Sequence, residues 1–371
     1  MNPAKSAETA ELELEIGDGI LFTGTAFGAH KSVTGEVVFN TGMVGYTEAL
    51  TDPSYTGQIL VLTYPLAGNY GVPAFENDNY NLPLEFESDK MQVAGLIVSS
   101  HSEFPSHYNK MENLREWLQR SGIPAICDVD TRSITKHLRK SGTVSGSIRT
   151  GSISVNASAG TPSGICKSTI SGITCFNCET PDRPTVILID CGAKANIIRS
   201  LLSLEMNVLK VPYNHQLNDL EYSGILISNG PGNPEEWTET IETLRKAINR
   251  DIPILGICLG HQILALAAGA STEKMKYGHR SQNQPCLEDK KDKPRFLLTS
   301  QNHGYQVKRD SLPPDWKIWY TNVNDGSIEG IRHQEKPMTG VQFHPESSPG
   351  PLDASGIFVE FAAAVTDTFR K

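Results

Sequence analysis

The second half of the chain alternates short blocks of β-branched and aliphatic residues with longer stretches of helical spacing. Thr185 to Asp190 is one apolar run, Val208 to Val211 and Gly224 to Ser228 are the next two, and Ile252 to Ile257 is a fourth. Between and after them, helices are predicted near Ala195 to Leu204, over Glu235 to Asn249 and over Gln262 to Ala268. Buried apolar strands alternating with helices indicate βαβ units. The pattern therefore predicts an α/β domain with a mainly parallel sheet and helices on both faces. In such sheets the working groups sit at the C-terminal ends of the strands.

The first half has a different texture. Its apolar runs, such as Ile59 to Tyr64 before Pro65 and Val93 to Val98, are short and punctuated by Gly and Pro, and they read as strands. A helix is expected at about Met111 to Ser121, stopped by Ser-Gly-Ile-Pro, and another over Thr131 to Lys140, capped by Asp130 or Thr131. This is the pattern of a strand-rich α+β domain. From about Ser152 to Asp182 the composition shifts to Ser, Thr, Gly and Asn, which reads as a connecting segment. The expected organisation is an N-terminal domain over 1–150, a connector over 151–183 and an α/β domain over 184–371.

Composition narrows the class. A chain of 371 residues accommodates two domains, and its hydrophobic fraction of 38% fits an ordinary globular protein. The net charge of −9 is spread among interleaved acids and bases, which argues against nucleic acid or an anionic membrane as the main partner. No apolar run approaches a membrane span. Met1 to Glu15 is acidic and has neither the apolar core of a secretory signal nor the Arg-rich character of a transit peptide, so the cytoplasm is expected. Seven cysteines leave at least one unpaired and suit a reducing compartment. Cys175 and Cys178, with Cys166 upstream, have the spacing of a zinc or redox pair. No second pair or nearby His stands at ligand spacing, so coincidence in a linker is the reading and no metal is expected.

One run carries chemistry. Pro253 to Ile257 leads straight into Cys258, with Gly256 and Gly260 two residues to either side. A tight strand-to-helix turn needs small flanking residues and pushes a nucleophile out at the sheet edge. The following helix directs its dipole and free N–H groups at the sulfur, favouring the thiolate, and the amide of Leu259 is placed to hold an oxyanion. The rival is a buried structural cysteine. A thiol nucleophile needs a base, and Gly340-Val341-Gln342-Phe343-His344-Pro345-Glu346 offers one. In an extended chain His344 and Glu346 share a side, and Pro345 favours extension before it. Glu346 can then orient the imidazole. Alone, the segment is equally well a surface turn. Ser228-Asn229-Gly230-Pro231-Gly232-Asn233-Pro234 ends another strand. It serves either as a second oxyanion donor near Gly230 or as a plain turn.

These three runs, in their order along the chain across residues 228 to 346, resemble the triad-type (class I) glutamine amidotransferases. Phe39 to Tyr46, Leu50 to Tyr55, Thr63 to Pro65, Asp128 to Arg132 and Ser300 to Tyr305 further resemble the small subunit of carbamoyl-phosphate synthetase, from about residue 17 to 365. That resemblance implies Cys258 as nucleophile, His344 as base and Glu346 as orienting acid. It implies glutamine held by Ser54, Gly230, Gly232, Leu259, Gln262, Asn302, Gly304 and Tyr305. Ser281 stands where the family usually has Gly, and Tyr305 where Phe is also common; neither touches the triad.

The resemblance also implies a partner. The chain has no Walker-type loop and too little length for a synthetase domain, so no cofactor is expected on it. ATP and its metal ions are expected on a large synthetase subunit, with L-glutamine as substrate here. Three rivals remain: a free-standing γ-glutamyl hydrolase, a non-enzymatic scaffold, and the amidotransferase of another biosynthetic complex.

Overall fold

The computed structural model describes residues 11–17, 19–107, 109–150, 172–290 and 293–371. The connector read over 151–183, and Cys166 with it, lies largely outside the described residues. The described chain divides into two compact units. The first holds the described residues up to Leu50, then Tyr55–Phe75, then those from Lys90 to the end of the ninth strand. The second holds Thr51–Ser54, Glu76–Asp89 and the described residues from 172 onward. The units are thus not the contiguous blocks that composition marks, because two short stretches of the first half are built into the second unit.

The strands of the first unit are β1 (Glu11–Ile16), β2 (Ile20–Ala26), β3 (Val33–Asn40), β4 (Gln58–Leu62), β5 (Val72–Pro73), β6 (Gly95–Val98), β7 (Lys110–Glu112), β8 (Ala125–Cys127) and β9 (Val144–Thr150). Seven of them close into a barrel in the order β1-β2-β8-β6-β4-β3-β9, while β5 and β7 form a separate ribbon. Alternation explains the closure: Leu12, Leu14 and Ile16 of β1 point inward and are buried, while Glu11 and Glu13 are exposed. The helices are α1 (Tyr46–Thr51), α2 (Leu114–Arg120) and α3 (Thr131–Ser141). Asp130 caps α3 by accepting from the Ser133 amide. α2 is shorter than the sequence suggests, since Lys110–Glu112 pairs with β5 and Asn113 closes the helix in a capping box with Glu116.

In the second unit the strands are β10 (Thr174–Phe176), β11 (Thr185–Asp190), β12 (Asn207–Pro212), β13 (Gly224–Ile227), β14 (Ile254–Ile257), β15 (Thr272–Glu288), β16 (Arg295–Val307), β17 (Trp316–Asn322), β18 (Ile328–His333) and β19 (Met338–Val341). They form one sheet in the order β10-β12-β11-β13-β14-β19-β18-β17-β15-β16. The five strands from β12 to β19 are parallel, as the alternation of strands and helices predicts. Beyond β19 the sheet continues with antiparallel strands that the sequence did not reveal, because β15 and β16 are largely polar.

The helices here are α4 (Ala195–Ser203), α5 (Thr238–Ala247), α6 (Leu259–Ala268) and α7 (Gly356–Phe369). Val186 and Leu188 of β11 join a core that includes Ile197 and Leu201 of α4 and Phe358 and Phe361 of α7. Ile187 and Ile189 face the opposite core, with Leu244 of α5 and Ile263 of α6. This period-two division puts helices on both faces. The helix expected over Glu235 to Asn249 is divided: a 3₁₀ turn at Pro234–Glu236 precedes α5.

Two further expectations change. Cys175, within β10, is joined to Cys178 as a disulfide, whereas the spacing read as a coincidence in the linker. The segment after β19 does not stay extended to Glu346; it turns, with the Ser347 amide donating to the His344 carbonyl. Among the described residues no helix is long and apolar enough to cross a membrane.

Candidate active site

The C-terminal ends of β13, β14 and β19 supply the site. Cys258 follows β14 and is the N-cap of α6, with φ 53° and ψ −104°. A non-glycine residue in that region is strained, and such strain concentrates where a side chain must be presented at a sharp turn. The flanking glycines are required sterically. A Cβ on Gly256 would lie 2.5 Å from the Gly260 carbonyl oxygen, and one on Gly260 would lie 2.2 Å from that of Ile227. The Cys258 amide donates to Val341 O at 2.8 Å, which fixes the elbow to the end of β19. The amides of the first turn of α6 have no partner within the helix and form a donor set beside the sulfur. Gly230 packs against this turn, since a Cβ there would meet Cδ2 of Leu259 at 2.8 Å. The structure therefore brings Gly230 and Leu259 together beside Cys258, whereas Gly232 is exposed two residues further along.

His344 is placed by a bridge to β16, its amide donating to Ser300 O at 2.9 Å. Its Nδ1 is 2.6 Å from Oε1 of Glu346. The contact arises from the turn at Pro345 and not from alternation along an extended strand. Burial works against a charged imidazole, but Glu346 and the Cys258 sulfur outweigh it and hold the His344 pKa well above its usual value. Nε2 of His344 is buried and makes no hydrogen bond of ordinary geometry, although the sulfur lies close enough to act on the ring electrostatically. Burial likewise opposes ionisation of Glu346, and Lys194 with His344 reverses it, keeping that carboxyl low. His261, next to the elbow, is a poor alternative base: burial pushes its pKa down to about 3 and it packs against Gly340.

Several residues at the site escaped the sequence reading. Lys194, at the start of α4, sits 3.1 Å from Oε1 of Glu346 with both side chains essentially buried. It also donates to Ser347 O. Glu87 lies near it, and burial raises that carboxyl to about 7 against the pull of Lys194. Gln342 is fully buried and donates to Sγ of Cys258 at 3.7 Å. The Cys258 thiol in turn faces Asn302 O at 3.6 Å. Gln342 and Asn229 lie inside the runs quoted above without being singled out. Lys194 had one available signal, its place just past the C-terminal end of a parallel strand.

The residues assigned to glutamine fall into two groups. Ser54 Oγ accepts from Asn229 Nδ2 at 2.9 Å, and Asp52 accepts from the Ser54 amide at 2.9 Å and from Asn302 Nδ2 at 3.0 Å. Ser54 and Asn302 thus belong to one polar network. Gln262 donates to Tyr305 O at 2.8 Å and to Gln342 Oε1 at 2.9 Å, so its amide is engaged within the protein. Gly304 and Tyr305 continue β16 past Asn302 and are half-buried. No cluster of metal-binding side chains surrounds Cys258 among the described residues.

A parallel sheet presenting an elbow cysteine against a His–Glu pair defines a class of enzyme. The family model "Glutamine amidotransferase class-I" matches residues 187–364. A second, "Carbamoyl-phosphate synthase small chain, CPSase domain", matches residues 14–148. The carbamoyl phosphate synthase arginine-specific small chain of Neurospora crassa is 45% identical over 96% of this chain and 80% of its own. That of Saccharomyces cerevisiae is 44% identical over 93% of this chain and 86% of its own. The chain belongs to the family of carbamoyl phosphate synthase small chains. It is also 45% identical to the multifunctional protein CAD of Squalus acanthias, over 95% of this chain but only 16% of that protein's length.

Proposed function

We propose that this chain is the glutaminase subunit of a glutamine-hydrolysing carbamoyl-phosphate synthetase, acting through Cys258, His344 and Glu346. The observation that carries the reading is the strained elbow cysteine facing an imidazole whose far nitrogen is held 2.6 Å from a buried carboxylate. Cys258 thiolate attacks the side-chain carbonyl carbon of glutamine, and the resulting oxyanion is held by amides at Leu259 and Gly230. His344 gives its Nε2 proton to the leaving nitrogen, so ammonia departs and a thioester remains. Water then loses a proton to His344 and attacks the thioester, and collapse returns the thiolate and releases glutamate. Ser54, Gln262, Asn302, Gly304 and Tyr305, with the turn at Gly232, form the glutamine-binding side.

The ammonia passes to a large synthetase subunit, which uses bicarbonate and ATP and carries the nucleotide and its metal ions. Replacing Cys258 with Ala is expected to abolish glutamine-dependent carbamoyl phosphate synthesis by the reconstituted complex while leaving ammonia-dependent synthesis in place. Persistent glutamine-dependent activity in that variant would overturn the triad assignment. Vigorous hydrolysis by the isolated wild-type chain, unaltered by a large subunit, bicarbonate and ATP, would favour a free-standing hydrolase instead.

A further inference from the structure

The antiparallel half of the second unit holds a second group of buried polar side chains. His279 of β15, His303 of β16 and Glu329 of β18 converge there, each buried, with ligand-type atoms within 4.8 Å of one another. Nδ1 of His279 is 3.4 Å from Oε1 of Glu329. That is longer than the ~2.7–2.9 Å of a charge-assisted hydrogen bond. It matches the roughly 3.3 Å that separates two ligands, each ~2.0–2.1 Å from a zinc ion, at a tetrahedral angle.

The surroundings fit a cation. Nε2 of His279 is 2.9 Å from Oδ2 of Asp325, which fixes the ring with Nδ1 turned toward Glu329 and the Asn322 amide, the latter at 3.5 Å. A carboxylate on the outer nitrogen of a ligating imidazole is the common supporting arrangement at zinc. Asn322 donates to Glu329 Oε1 at 2.9 Å, but Oε2 of the same carboxylate is buried with no hydrogen-bond partner. An oxygen in that condition costs free energy unless a cation meets it. His303 faces oxygens on both sides, Tyr305 O at 2.9 Å and Gln301 Oε1 at 3.1 Å. A neutral imidazole has one N–H and can satisfy one of them, so its other nitrogen is set against an oxygen with no proton between them, a contact that a cation in place of the proton would relieve. The Gln301 amide nitrogen is already engaged by Thr299 Oγ1 at 3.1 Å, which keeps its oxygen toward His303. A cleft of about 350 Å³, lined by Lys276, Tyr277, His279, Arg309 and Asp325, gives solvent access to His279.

We propose that His279, His303 and Glu329 form a binding site for one zinc-class divalent ion, with Asp325 orienting His279 and a solvent molecule completing the coordination. The ion ties β15, β16 and β18 together behind Asn302 and Gly304. The three residues lie 24 and 26 positions apart and carry no motif spacing, so the sequence reading had no signal that would group them.

The test uses the full-length chain with Cys258→Ser, so that the thiol site cannot compete, stripped with chelator and titrated with Co²⁺. The expected result is one equivalent bound, with the visible absorption of a low-symmetry site, displaced by Zn²⁺. Glu329→Gln is expected to abolish the signal, and Asp325→Asn to weaken binding about 10–100-fold. Circular dichroism checks that each variant is folded, and if Glu329→Gln is not, Asp325→Asn decides. Absence of stoichiometric binding by the parent chain, or unchanged binding in the folded variants, would refute the site.

Discussion

Oε1 of Glu346 is shared by two cationic groups, Nδ1 of His344 at 2.6 Å and Nζ of Lys194 at 3.1 Å. The other oxygen, Oε2, is buried without a partner. The carboxylate beside the imidazole is therefore itself kept ionised by the ammonium of Lys194, the N-cap of α4. Position and charge state of the His344 imidazole both depend on Lys194, acting through Glu346.

Replacing Lys194 with Met tests that dependence. Removing one partner of a buried ion pair leaves an uncompensated charge and costs about 3–5 kcal/mol. We expect a marked fall in Tm and in kcat for glutamine hydrolysis. A purely structural lysine would lower the amount of folded enzyme only. A positioning lysine will also move the basic limb of the kcat/KM pH profile downward, because a Glu346 carboxyl without its ammonium partner holds its own proton more tightly and raises His344 less.

The same pair predicts how stability varies with pH. For His344 burial opposes the charge, but its partners raise the folded pKa from 6.5 to about 10. Its stabilising share is complete below pH 6.5 and is lost as pH rises toward 10. For Glu346, where burial is outweighed by Lys194 and His344, the pKa falls from 4.5 to about 2. That share is complete above pH 4.5 and is lost as pH falls toward 2. The stability difference between wild type and Glu346→Gln, from denaturant melts, should therefore be greatest between pH 4.5 and 6.5. A difference that grows steadily above pH 7 would contradict this account.

Gly260→Ala probes the elbow. Its Cβ would lie 2.2 Å from the Ile227 backbone oxygen, so α6 must shift away from β13. Overpacking of this kind costs roughly 1–3 kcal/mol. Since Leu259 and Cys258 move with the helix, glutaminase kcat should fall by more than the loss of stability suggests. Steady-state kinetics on the folded fraction separates the two effects.

Asn229→Asp replaces a donor by an acceptor. Asn229 Nδ2 serves Ser54 Oγ at 2.9 Å and lies 3.4 Å from Asp52 Oδ1, so the variant would set two carboxylates against each other in a buried place. Denaturant melts should show destabilisation that grows as pH rises above 4, and KM for glutamine should rise if Ser54 helps to hold it. Unchanged KM would remove Ser54 from the binding side.

Parallel strands and their helices were legible because the apolar runs of the strands are uninterrupted and alternate with stretches of helical spacing. The elbow was legible because sterics demand Gly256 and Gly260 at fixed offsets from Cys258. β15 to β18 were not, since an edge half of a sheet with polar residues on many positions has neither helical nor strict alternating period. His344 and Glu346 were paired correctly on mistaken geometry, as the turn that joins them is set by contacts to Lys194 and Asn196 from a distant helix. Lys194 and Glu87 were invisible for a related reason: a single buried charge has no local pattern, only a partner far along the chain.

The membership of Thr51–Ser54 and Glu76–Asp89 in the second unit has a consequence for recombination. A breakpoint anywhere from residue 90 to 184 would separate Asn229 and Asn302 from Asp52, and Lys194 from Glu87. A chimera joining the amino-terminal half of one relative to the carboxy-terminal half of another inherits both sides of that polar network from different parents. Compatible exchange must carry residues 51–54 and 76–89 with the carboxy-terminal partner, so the heritable module is interleaved and not end-to-end.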